Sequence, residues 1–279
     1  AVEVSLSEAG LLEISHRFRV NLVLTTASGA RCRTRVQRVV VETAGALRAT
    51  LRIEGAFILP NGRRWFDFGM RVSVYAGLSL VRLEPHINVT AGQGVVQRLR
   101  ELRLDVVPLS PVAGYRIGGA MDRNRSCASR KERLFQVDDR NWRLEGVEGT
   151  GRKAPGWVEL TDEQGTAALY LRDFWQQWPK AIEAGPDELS IGLFPRFSPG
   201  EFRHMKPWYK YDFLFQGACY RLRTGQARRW DAWLDLDGDG ESLAGIAQEP
   251  AMPVADPAQA VPSGAWGDVL PGGTPGLAE

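Results

Sequence analysis

Histidine and cysteine are scarce, with three of each in 279 residues. Cys32, Cys127 and Cys219 are widely spaced and odd in number, which argues against a disulfide framework or a CxxC metal site and leaves buried thiols as the reading. A dominant charge of one sign is also missing. With 35 Lys and Arg against 33 Asp and Glu, the net charge of +2 argues against a nucleic-acid footprint. No run approaches the ~18 apolar residues of a membrane helix, so no membrane partner is expected. The GxSxG, GxGxxG, Walker and HExxH patterns are absent, which removes the enzyme classes those motifs carry; a triad gathered from distant positions stays open. The chain opens at Ala1 on the alternating VEVSL with no signal-peptide pattern, and it reads as a piece of something longer whose compartment is unknown.

What is present is strand after strand. Segments 18–24, 35–43, 47–57, 66–77, 79–90 and 100–109 show period-two patterning rich in β-branched residues. Ser28-Gly29, Pro60-Asn61-Gly62 and Ala91-Gly92 supply turns between them. Further strands are expected at 156–162, 166–175, 188–195, 211–218 and 228–238. No segment shows a convincing 3.6-residue period, so the fold class is all-β, a large antiparallel sandwich. Residues 110–155 are irregular and heavily charged, open to two readings: an excursion beside a binding groove, or a solvated loop. After Glu249 the chain is rich in proline and glycine and reads as an exposed linker.

Few constellations carry chemistry. Asp235, Asp237 and Asp239 in LDLDGDGE look like the start of a calcium loop, but the twelfth position holds Ile246 instead of Glu. A hairpin turn is the expectation there, and no cofactor is indicated. Of the histidines, His86 lies in a strand and reads as structural. His204 stands between Arg203 and Lys206, a cationic setting that would keep it neutral and suited to accept a proton.

Residues 172–211 hold nine of the 26 aromatics, interspersed with cations, a combination that stacks on sugar rings and grips carboxylates. The expected binding residues are Arg172, Trp175, Gln176, Gln177, Lys180, Lys206, Trp208 and Lys210, with His204, Tyr209 and Tyr211 as candidates for proton transfer. Strand alternation places Arg172, Phe174 and Gln176 on one side and Asp173 and Trp175 on the other. Pro179 turns residues 176–180 out at a sheet edge. The competing reading makes Trp175 and Trp178 core and pairs Arg172 with Asp173 or Glu159.

The string RDFWQQWPK, with GWVEL before it and LFP, HMKPWYKYDFLF and WLDLDGDG after it, resembles the central β-sandwich of the exo-rhamnogalacturonan lyase and YetA-like family. VVVETAGALRATLRIEGAF and YAGLSLVRLE resemble that family's first sandwich strands, so the likeness spans roughly residues 35–250. It implies that residues 1–34 end or connect from a preceding RIFT-barrel-like domain, that 35–249 form the sandwich, and that 250–279 lead to an α/α-toroid domain. It implies β-elimination on pectic rhamnogalacturonan by the longer protein, with most of the active site at the toroid and this piece inactive alone. The implied partners are an acidic polysaccharide or oligosaccharide and that toroid. No catalytic motif of the family matches a residue here. A non-catalytic carbohydrate-binding or structural sandwich is the alternative.

Overall fold

The computed structural model describes residues 2–6, 12–91, 94–119, 125–126, 131–145, 149–249, 256, 259 and 261–264. In chain order the strands are β1 (Val4–Leu6), β2 (Leu12–Ile14), β3 (Phe18–Thr26), β4 (Arg33–Ala44), β5 (Arg48–Ile58), β6 (Arg64–Tyr75), β7 (Leu80–Asn88), β8 (Val96–Pro108), β9 (Gly114–Ile117) and β10 (Arg125–Ser126). They continue with β11 (Glu132–Gln136), β12 (Trp142–Glu145), β13 (Thr150–Gly151), β14 (Trp157–Asp162), β15 (Gly165–Leu171), β16 (Lys180–Ala184), β17 (Leu189–Phe194), β18 (Tyr220–Arg223), β19 (Ala227–Arg229) and β20 (Ala232–Asp235). Two short helices, α1 (Trp208–Leu214) and α2 (Gly240–Gln248), complete the order.

Two antiparallel ten-stranded sheets form the sandwich among the described residues. The first runs β1-β2-β3-β8-β17-β16-β11-β12-β13 with β18 also on β8, and the second runs β10-β9-β14-β15-β20-β7-β6-β5-β4 with β19 also on β7. Alternation sends Phe18, Val20, Leu22 and Leu24 of β3 inward beside Leu102, Leu104 and Val106 of β8. Phe66, Phe68, Met70 and Val72 of β6 join them in one core cluster.

The boundary expected near residue 34 is not a break in the fold. β3 pairs with β8 from Phe18 to Thr26, and Ala1–Gln248 form one compact unit. Arg17 ties this segment to the second sheet: its Nε and Nη2 donate to Asp162 Oδ2 and Oδ1 at 2.9 and 2.8 Å. It also donates to the carbonyls of Gly165 and Leu236. A second unit, Glu249–Glu279, is described only at a few positions, among them a turn in which Gly264 N–H donates to Val261 O. The linker expectation otherwise lies outside the described residues.

The charged 110–155 segment contains strands where a loop was one of the two readings. β11 is buried at all five positions, and its Arg133 lies directly opposite Glu145 on one side and Glu183 on the other. Glu183 in turn gathers Lys131 Nζ at 2.8 Å and Arg133 and Arg196 at 3.2 Å each. Burial alone would raise the Glu183 carboxyl, but these cations outweigh it and hold the group below its ordinary range. Cross-strand pairing, not solvent, accommodates these charges.

Two other expectations are corrected. Residues 211–218, read as a strand, hold the second half of α1 and the turn that follows Leu214; the helix starts after Pro207, where a missing N–H costs nothing. The Asp-rich turn leads into α2 and not into a return strand. Asp235 Oδ1 accepts Ser79 Oγ–H at 2.5 Å and Asp237 N–H at 3.1 Å, and Asp239 caps α2 by accepting Ser242 N–H at 2.9 Å. Among the described residues no group of three or more His, Cys, Asp or Glu side chains could hold a metal ion. Leu243 and Ala247 of α2 pack on Leu80, Trp157 and Tyr170. Among the described residues no helix is long and apolar enough to cross a membrane.

Cys32 and Cys219 are buried and free, and burial pushes the Cys32 thiol up to about 11, while Cys127 lies outside the described residues. His86 fits its structural reading: its ring lies where a Cβ on Gly69 would stand, 2.2 Å away.

Candidate functional site

A groove of about 510 Å³ opens beside the β11–β12 turn, lined by Asp138, Asn141, Arg143, Arg152, Glu201 and His204 among others. The turn is built by Asp138. Its Oδ1 accepts the N–H groups of Arg140 and Asn141, both at 2.8 Å, the local bonding for which aspartate is favoured in turns. Burial would raise this carboxyl, but the Arg140 N–H, the Asn141 side chain and His204 prevail and hold it below the ordinary range.

Gln136 fastens the turn to the opposite wall. Fully buried, its Oε1 accepts Ala154 N–H at 2.9 Å while its Nε2 donates to Asp138 O at 2.8 Å and Arg152 O at 2.9 Å. Gln136→Leu strands three backbone groups and is expected to cost about 1–3 kcal/mol in urea unfolding; an unchanged midpoint would show that the wall stands without it. Gly151 is a glycine because the Trp142 indole, directly opposite, would lie 2.4 Å from a Cβ.

His204 is the sequence-expected residue that lines this groove. Its Nε2 lies 3.1 Å from Asp138 Oδ2 and its Nδ1 lies 3.0 Å from Glu201 O, so each ring nitrogen faces an acceptor oxygen. The cationic setting expected around it is replaced by a carboxylate partner, Asp138, and both ring nitrogens have neighbours in the groove wall. Arg143 is likewise occupied, donating to Glu201 Oε1 at 2.6 Å and to Glu145 Oε1 at 3.2 Å. Arg152 is different. It is exposed and has no acidic partner among the described residues. Next to it in the chain, Lys153 Nζ stands 3.9 Å over the Trp175 ring, so an open cation and a half-exposed indole border one strap of backbone.

The remaining expected residues are dispersed. Gln176 and Gln177 are exposed in the turn beside Trp175. Trp178 packs half-buried against Tyr211 and Phe202, with ring centroids 5.9 and 6.3 Å apart, in agreement with its core reading. Lys206, Tyr209 and Lys210 are exposed, and Trp208 begins α1. Arg172 lies at the end of β15, on the second sheet, 3.8 Å from Asp231 and 4.0 Å from Asp173.

The alternation expected beyond residue 171 is absent, because β15 ends at Leu171 and Asp173 adopts φ +56° in a turn. Lys180 is the largest departure. It opens β16, between β11 and β17, with 3% exposure, and its Nζ donates to Gln177 O at 2.6 Å. Pro179 precedes a central strand here, not an edge. Burial, with repulsion from Arg228, pushes the Lys180 amine down to about 7.

Asp138, Arg143, Arg152 and Lys153 were not among the expected residues. The signal that could have found them is ERLFQ and WRLE around DDRN, two alternating runs about a turn-forming core.

Residues 5–92 match the PcRGLX-like protein central beta sandwich domain. No curated protein matches the chain. Among solved structures it is similar to the galactosidase domain of the α-galactosidase–sucrose kinase AgaSK, at 11% identity and TM-score 0.45, and to the GH36 α-galactosidase AgaA from Geobacillus stearothermophilus, at 12% and 0.44. Each alignment covers 76% of this chain and 29% of the other, so the chain spans under a third of these galactosidases. A galactose mutarotase-like protein from Lactobacillus casei ATCC 334 aligns at 9% identity and TM-score 0.41, over 84% of this chain and 96% of that one.

Proposed function

We propose that this chain is the sandwich module of a pectin-active, polysaccharide lyase-like protein, forming a wall of the cleft that holds an acidic glycan and supporting a catalytic α/α-toroid domain. The observation that carries this is the border of the groove, where Arg152 has no acidic partner among the described residues and Lys153 caps the Trp175 indole. A guanidinium suits a uronate carboxylate and an indole suits a sugar face. The match of residues 5–92 to a central sandwich domain supports the same reading.

The module binds and does not cleave. β-Elimination requires neutralising the uronate carboxylate, removing the C5 proton and protonating the O4 leaving group. Arg152 can serve the first need. For the other two, His204 has both nitrogens engaged, and Tyr211 is packed on Trp178. A non-catalytic carbohydrate-binding module is the form this takes if the longer protein is no lyase.

Titration with oligogalacturonates and rhamnogalacturonan fragments tests it. Arg152→Ala and Trp175→Ala are each expected to weaken binding by about 1 kcal/mol, roughly fivefold, at unchanged melting temperature. Unsaturated products are expected to be absent with this chain alone. Unaltered affinity in both variants, or robust turnover, would overturn the proposal.

A further inference from the structure

The start of β4 carries a feature that the groove does not use. Arg31, Arg33 and Arg35 alternate with Cys32, Thr34 and Val36, and the three arginines are exposed while Cys32 is buried. Alternation places the Arg33 and Arg35 side chains on one side of β4, about 6.8 Å apart along the strand, and Arg31, bridged to Thr25, precedes them. Arg33 and Arg35 form no ion pair among the described residues, while Arg31 also feels the Asp105 carboxylate. Arg38, beyond a bulge, is 4.0 Å from Glu54 and largely exposed. Beyond Cys32, whose N–H donates to Leu24 O of β3 at 2.8 Å, β4 is the last strand of its sheet with β5 as its neighbour, so its outer backbone edge is open. Beneath the first two arginines lies a cleft of about 330 Å³, lined by Asn21, Arg31, Cys32, Arg33 and Thr34 among others. Thr34 Oγ donates to Asn21 Oδ1 at 3.5 Å, which leaves the Asn21 amide donors for a ligand.

Exposed cations in succession, with an open strand edge beyond them and amide donors at one end, complement a linear polyanion. We propose that the Arg31, Arg33 and Arg35 edge and its cleft form a second binding surface, for the carboxylates of an extended polyuronate chain. The ligand class rests on the acidic-glycan reading above; the site is separate from the groove. A nucleic acid is disfavoured because no aromatic stands in Arg33–Ala44 to stack a base, and because the whole chain carries only +2. A polyuronate needs no stacking platform, since its charges repeat once per sugar.

The test measures binding of an oligogalacturonate, its neutral methyl ester and a short single-stranded oligodeoxynucleotide to the whole chain. The triple variant Arg31→Gln, Arg33→Gln, Arg35→Gln is expected to lose about tenfold in affinity for the oligogalacturonate and part of its salt dependence, since three exposed charge contacts disappear. The variant Arg33→Lys, Arg35→Lys is expected to retain most of the affinity. If the triple variant melts early, Arg35→Gln alone, on an exposed side chain, replaces it with an expected loss of about threefold. Undiminished affinity, equal binding of the methyl ester, or tighter binding of the oligonucleotide would overturn the inference. If only Arg152→Ala and Trp175→Ala weaken binding, the groove stands and this edge fails; if only the edge variants do, the groove fails. A wild-type chain that ignores oligogalacturonate sinks both.

Discussion

Arg17→Met is expected to remove about 3–5 kcal/mol of folding stability, because it leaves the Asp162 carboxylate buried without its cation. Both side chains are almost fully enclosed, at 4% and 0% exposure. The guanidinium also serves the carbonyls of Gly165 and Leu236, so its loss strands two acceptors besides the charge. One side chain thereby joins the β2–β3 turn of the first sheet to the β14–β15 hairpin and the end of β20 in the second. Urea unfolding of Arg17→Met, Asp162→Leu and the double variant checks this. Either single change should cost more than the pair together, since the pair leaves no lone charge behind. A single-variant cost below about 1 kcal/mol would mean that water reaches the pair and that the first 34 residues are held by β3 pairing alone.

Lys180 should impose a pH dependence of the opposite kind to that of a paired charge. Its amine titrates near 7 in the fold, against the ordinary 10.5, because burial disfavours the cation. Between those values the unfolded chain binds the proton and the native one does not, so this residue's cost to stability is full below pH 7 and fades as pH rises toward 10.5. The slope approaches about 1.4 kcal/mol per pH unit. Lys180→Met keeps the volume and removes the titration. The stability advantage of the variant over wild type is therefore expected to shrink by about 2 kcal/mol between pH 7.5 and 9.5. Taking the difference cancels the tyrosines and Cys32, whose raised values act in the other direction. A difference that stays flat across the window would show that the amine keeps an ordinary affinity for its proton, and hence that β16 opens to water.

The sandwich is legible in the sequence wherever one face of a strand meets the core. FRVNLVL and FDFGMRVSVY alternate plainly, and β3 and β6 lie where those runs stand. β11 and β12 escape because alternation of charge with apolar residues looks like solvent exposure when the opposing charges come from distant positions. Glu183 is 50 residues from Arg133, and nothing local marks them as neighbours across two strands. The helices escape because seven and nine residues hold too few turns for a period to emerge. Asp173 deceives for a different reason: its left-handed backbone ends a strand whose side chains would otherwise continue to alternate.

The aromatic and cationic concentration at 172–211 was legible as a density, but not as one surface. His204 lines the groove, and Trp175 lies under Lys153, the residue after the groove's Arg152 in the chain. Trp178 and Tyr211 pack on each other, Arg172 serves the second sheet, and Lys180 is interior. Sequence shows which chemistry is abundant; burial and register decide which of it faces a ligand.

Recognition of acidic sugars through charge is what we propose for this sandwich. Calorimetric titration of the wild-type chain with an oligogalacturonate and with its methyl ester, at low and at moderate salt, tests it most directly. The account predicts binding of the acid, weakened by salt, and little or none of the ester. Equal binding of both ligands, or heat from neither, would contradict it.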